Sequence, residues 1–146
     1  MPGYIHLCTG PMFSGKTTRA CQKAEQLTAE GLRVAIIKHI KDTRWDSHGF
    51  LRTHDGKTLK ADLATSAMDE VVAFAINGGY NAVIIDEGQF YHDIAEKADH
   101  LANQGVVVVV AALDSNFLNH PSSRHFDNVI KVIPRQPTVT SANSLF

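Results

Sequence analysis

The chain has 146 residues, of which 44% are hydrophobic and 20% charged, with a formal net charge of −1. That size suits one domain with a core of its own, and the composition excludes a disordered chain. Near-neutral charge argues against a nucleic-acid or acidic-membrane partner, so any phosphate chemistry must come from a local site.

Tyr4–Thr9 is a short apolar segment that runs into a glycine-containing loop. The stretch "KTTRACQKAEQLTAEG" then carries Ala20, Ala24 and Leu27 at helical spacing and stops at Gly31. "RVAIIKHI" (33–40) is rich in β-branched residues and reads as a buried strand. The polar segment 41–58 has no sustained period and reads as a long, functional connection. In "SAMDEVVAFAING", Ser66 and Asp69 have capping-box spacing, and Met68, Val71, Val72, Ala75 and Ile76 form one apolar stripe.

"AVIID" (82–86) reads as a buried strand, and residues 92–104 as an amphipathic helix through Ile94, Ala98, Leu101 and Ala102, closed by Gly105. "VVVVVAAL" (106–113) is the pattern of a central strand covered on both faces, and "NVIKVI" (128–133) is a last strand candidate. Alternating strands and helices predict an α/β domain over 1–134 with a mainly parallel sheet, followed by a polar tail, 135–146. Cys8 and Cys21 are too few for a disulfide framework and lack metal-ligand spacing. Isolated thiols, no signal-peptide pattern and no apolar run long enough to span a bilayer make a soluble cytoplasmic protein the expectation.

Residues 10–17, "GPMFSGKT", match G-x-x-x-x-G-K-[ST] between a strand and a helix. In such a loop the glycines let backbone N–H groups turn toward phosphate oxygens, and the helix adds its positive end. Lys16 is then placed for the β- and γ-phosphates of a nucleotide, and the Thr17 hydroxyl for Mg²⁺. Asp86, at the end of a neighbouring buried strand, fits a second Mg²⁺-side ligand. Because adjacent strand residues point to opposite faces, Glu87 is expected to face elsewhere than Asp86. Gly88 is expected to let the chain bend there, turning Glu87 toward a second substrate whose hydroxyl proton it accepts.

The motifs "GPMFSGKTT", "KHIKDTR", "THD", "IIDEGQF" and "VVAALDSNF", in this order over residues 3–121, closely resemble the cytosolic-type thymidine kinases. The resemblance implies a P-loop, RecA-like three-layer α/β fold and ATP-dependent phosphorylation of the 5′-hydroxyl of thymidine. It implies that Gly10, Pro11, Met12, Phe13, Ser14, Gly15, Lys16, Thr17 and Thr18 bind ATP, with Mg²⁺ held at Thr17 and Asp86. Glu87 becomes the general base, and Arg44 the cation that steadies the transferring phosphoryl group. Met12, Phe90, Leu113 and Phe117 match positions that enclose the nucleoside base. A homo-oligomer, dimer or tetramer, is also implied.

The sequence departs from the family in one region. Family members carry a zinc-bearing segment with paired C-x-x-C motifs and a lasso over the nucleoside, whereas no cysteine follows residue 21. No structural zinc is therefore expected. Pro121 is followed by Ser122 and Ser123 rather than an aromatic, and "RQPTVTSANSLF" shows no resemblance. The alternative expectation is an ATP-binding module, or a P-loop ATPase, that has lost nucleoside phosphorylation.

Overall fold

The computed structural model describes residues 3–9, 16–42, 45, 49–52, 56, 58–112 and 129–130, with the backbone alone at 9, 16–18, 52 and 129–130. The valine run dictates the centre of the fold. β7 (Val107–Ala112) is buried at every position, as expected for a strand with helices over both its faces. Each fully buried valine contributes about 1.5–3 kcal/mol, so this strand anchors the core.

β7 lies between β6 (Ala82–Ile85) and β1 (Ile5–Thr9). β2 (Val34–His39) pairs with the far side of β6, β5 (Leu63–Thr65) with β2, and β8 (Val129–Ile130) with β1. The order is β5-β2-β6-β7-β1-β8, and every pairing is parallel, so the carboxyl ends of all these strands lie along one edge.

Alternation along the strands sorts side chains into two layers. Cys8, Ile84, Val109 and Ala111 pack on α1 (Lys16–Ala29) through Ala20, Ala24 and Leu27. Leu7, Ile37, Val83, Ile85, Val108 and Val110 pack on α2 (Met68–Asn77) and α3 (Ile94–Asn103). The domain is thus α/β with a parallel sheet and helices on both faces. Among the described residues no helix is long and apolar enough to cross a membrane.

Several local expectations change. β2 alternates between buried and half-buried positions, with Val34 and Ile36 packing only partly against the α1 layer. The connection 41–58 contains structure: β3 (Phe50–Arg52) and β4 (Thr58–Lys60) form an antiparallel hairpin. The Ser66–Asp69 capping box does not form. Ala67 is the N-cap without a side-chain bond, and Ser66 is exposed. The hydroxyl that serves this helix belongs to Thr65, which accepts the Ala67 N–H at 3.0 Å and donates to Glu70. Asp69 instead pairs with Lys97 at 2.8 Å. Ile76, on the expected apolar stripe, is 44% exposed.

His6 on β1 shows how the packing bears on stability. Burial first, then the charges of Lys23 and Arg19, lower its pKa from 6.5 to about 4. Between those values the unfolded chain binds a proton that the native protein refuses, so native stability falls as pH drops through that window. The urea midpoint should therefore be lower at pH 5 than at pH 7, and His6→Gln should reduce the difference. An undiminished difference in the variant would assign the effect to other groups.

Candidate functional site

The carboxyl edge of the sheet gathers the polar residues that the core cannot accommodate. β6 ends at Ile85, and Asp86 follows it, buried at 4% exposure, its N–H donated to the Ile37 carbonyl of β2 at 3.3 Å. Across that pairing, β2 ends at His39, and the chain turns so that the Asp42 N–H reaches the His39 carbonyl at 3.0 Å. The turn carries Asp42, also buried, back toward Asp86. One carboxylate oxygen from each of Asp42, Asp86 and Glu87 lies within 4.8 Å of the others.

Each acid in this group accepts an N–H. Trp45 Nε1 donates to Asp42 at 3.2 Å, the Glu87 backbone to Asp86 at 3.0 Å, and Gln89 Nε2 to Glu87. These bonds orient the carboxylates, and an ionised carboxylate can accept several bonds at once. A set of convergent carboxylate oxygens is the donor chemistry that a hard divalent cation such as Mg²⁺ requires.

The relation between Asp86 and Glu87 differs from strand alternation. The strand has already ended, and Glu87 adopts φ 57°, ψ 47°, the left-handed region. Glu87 therefore turns to the same side as Asp86 rather than away from it. Among the described residues it is the only non-glycine with positive φ. That conformation costs about 1 kcal/mol or more and is typical of functional positions.

Gly88 serves a different purpose from the expected bend. It opens a 3-10 turn, Gly88–Phe90, pressed against the core. A Cβ on Gly88 would stand 2.4 Å from Val110 Cγ1 and 3.1 Å from Ile94 Cδ1. Absence of a side chain lets the acid-bearing turn sit directly on β7.

After the turn, Phe90 is 52% exposed while Tyr91 is buried. Both meet the ring of His39 edge-on, at centroid distances of 5.2 Å and 5.0 Å. Burial, followed by the negative charges of Asp86 and Asp42, raises the Tyr91 pKa, so its hydroxyl keeps its proton and donates to the Thr65 carbonyl at 3.2 Å. Burial and the Lys41 charge lower the His39 pKa against smaller opposing effects of Asp42 and Glu87.

Of the residues expected in the site, Asp86, Glu87 and Phe90 come together at one edge. Lys16, Thr17 and Thr18 form the first turn of α1, the next described element after β1, which ends at Thr9. Gly10, Pro11, Met12, Phe13, Ser14, Gly15, Arg44, Leu113 and Phe117 lie outside the described residues. Asp42 is the member that sequence reasoning misses. Its one available signal is position, just past the carboxyl end of a strand within the "KDTR" motif.

A parallel α/β sheet, a G-x-x-x-x-G-K-T sequence between β1 and α1, and acids at the end of a nearby strand define a protein of the P-loop nucleotide-binding class. Comparison with known proteins narrows the class. The thymidine kinase family model matches residues 3–145. A thymidine kinase of Sheeppox virus (strain KS-1) is 34% identical over 143 residues, covering 98% of this chain and 76% of the viral protein. That of Yaba monkey tumor virus (strain VR587) is 38% identical over 133 residues, covering 91% of this chain and 68% of the relative. Thymidine kinase 1 of Dictyostelium discoideum is 35% identical over 146 residues, 98% of this chain and 61% of the relative. The chain belongs to the thymidine kinase family. The match continues beyond residue 121 and takes in 135–145, correcting the expectation that resemblance ends there.

Gly88→Ala tests the seating of the acid-bearing turn. Overpacking against Val110, which is fully buried, should lower stability by about 1–3 kcal/mol. A denaturant titration giving wild-type stability would contradict the close contact.

Proposed function

We propose that this protein transfers the γ-phosphoryl group of ATP to the 5′-hydroxyl of thymidine. The observation that carries this reading is the convergence of Asp42, Asp86 and Glu87 at the carboxyl edge of the sheet, in a chain of the thymidine kinase family. One strand, β7, separates the strand entering the phosphate loop from the strand ending in the acids. Neighbouring strands lie about 4.8 Å apart, so roughly 10 Å separates the two strand ends. That spacing accommodates a nucleotide's terminal phosphates and supports the RecA-like arrangement.

In this reading, backbone N–H groups of Gly10, Met12, Phe13, Ser14 and Gly15 and the Lys16 ammonium bind the phosphates, with Pro11 and Thr18 completing the ATP-binding stretch. Mg²⁺, when bound, neutralises charge on the phosphate oxygens. Thr17 and Asp86 would hold it, and Asp42 joins them because its buried carboxylate belongs to the same group. Glu87 accepts the proton of the attacking 5′-hydroxyl, with Gln89 orienting its carboxylate. Its partial exposure beside two buried acids suits a group that must meet a substrate arriving from solvent. Arg44 steadies the transferring phosphoryl group. Met12, Phe90, Leu113 and Phe117 enclose the base, for which Phe90 offers an exposed ring already set against His39. Catalysis of this kind rests on positioning and electrostatic stabilisation more than on covalent chemistry.

ADP release by the purified protein should rise when thymidine is added. Release indifferent to every nucleoside would replace this reading with an ATPase, and ATP binding without release would replace it with a binding module. Glu87→Gln should reduce thymidine-dependent turnover by about 10²–10⁴-fold while leaving ATP affinity nearly unchanged. Wild-type turnover in that variant would remove Glu87 from the role of base.

A further inference from the structure

The acids of the site arrive on two turns far apart in sequence, and one residue touches both. His39 closes β2 and is only 5% exposed. Its Nδ1 accepts the Lys41 N–H at 3.1 Å, while its carbonyl accepts the Asp42 N–H at 3.0 Å. The turn that aims Asp42 is thus tied to His39 by side chain and backbone together. On the other side, the imidazole meets Phe90 and Tyr91 of the turn that follows Glu87. The Thr65 carbonyl also links the two turns, accepting the Ile40 N–H and the Tyr91 O–H, each at 3.2 Å.

Building on the kinase reading, we infer that His39 is a positioning residue that holds Asp42 in the cation site and sets the ring of Phe90 against the nucleoside, through two separable contacts. The Nδ1 acceptor governs Asp42. An acceptor at Nδ1 requires the neutral ring to carry its proton on Nε2, and without that acceptor the Lys41 N–H loses its partner and the turn loosens. The ring governs Phe90. Edge-to-face aromatic pairs hold a preferred geometry beyond simple area burial, and Phe90 is too exposed to be held by core packing alone.

Two substitutions in this 146-residue chain separate these contacts. His39→Phe keeps a ring but removes the acceptor, whereas His39→Asn keeps an acceptor near Nδ1 but removes the ring. Mn²⁺ titration followed by electron paramagnetic resonance reports the cation site, and thymidine KM reports the base pocket. For His39→Phe the Mn²⁺ Kd should rise about tenfold, the effect typical of losing a group that orients a metal ligand, with thymidine KM within about twofold of wild type. For His39→Asn the Mn²⁺ Kd should stay within about twofold while thymidine KM rises about three- to tenfold. Thermal melts of both variants show whether each is folded.

If both variants lose melting temperature and move neither quantity, or move both alike, His39 is a packing residue and the inference fails. A wild-type protein that turns over no thymidine would overturn the kinase reading instead. The Mn²⁺ comparison would then still uphold or overturn the placing of Asp42 by His39.

Discussion

Three carboxylate oxygens within 4.8 Å of one another are the constraint on which the rest of this structure depends. Each pair of charges at that spacing repels by about 3 kcal/mol at an effective dielectric of about 20. A flexible loop would relieve the repulsion by moving apart. Here the acids are held by the ends of two paired parallel strands, by a 3-10 turn seated on Val110 of β7, and by N–H donors from Trp45, Gln89 and the Glu87 backbone. The core supplies the rigidity, and the rigidity keeps the charges together.

That arrangement explains why the left-handed residue is an acid. Asn or Gly would adopt the Glu87 backbone more readily, but neither provides a carboxylate. The strained conformation brings the Glu87 side chain back toward Asp86 immediately after the sheet ends. Gly88 then allows the next turn to touch Val110 directly, where any larger residue would lift the turn from the core. Local strain and local absence of a side chain, in consecutive residues, together produce one geometry.

Much of the fold is legible in the sequence because long apolar runs and 3.6-residue periodicity report burial directly. The valine run at β7, the apolar run before Asp86 and the stripes of α1 and α3 are all of this kind. The three-residue strands β3 and β4 are too short to show a period, so 41–58 reads as a long connection. The N-terminus of α2 misleads because Ser66 has capping-box spacing while Thr65, fixed at the end of β5, already occupies the helix end. In the site, Asp86 is visible as an acid ending a buried strand. Asp42 is not, since its burial comes from a turn and an indole N–H that no spacing rule encodes. Alternation misplaces Glu87 because the pleat stops two residues earlier.

The most direct measurement is a crystal structure of the protein with Mn²⁺ and a non-hydrolysable ATP analogue, with the metal located by its anomalous scattering. A cation site built from the β2 and β6 turns predicts one Mn²⁺ peak between the analogue's terminal phosphates and the Asp42–Asp86 carboxylates, with Glu87 facing the acceptor rather than the metal. A peak bound elsewhere along the phosphates, with Asp42 and Asp86 contacting neither metal nor metal-bound water, would contradict it.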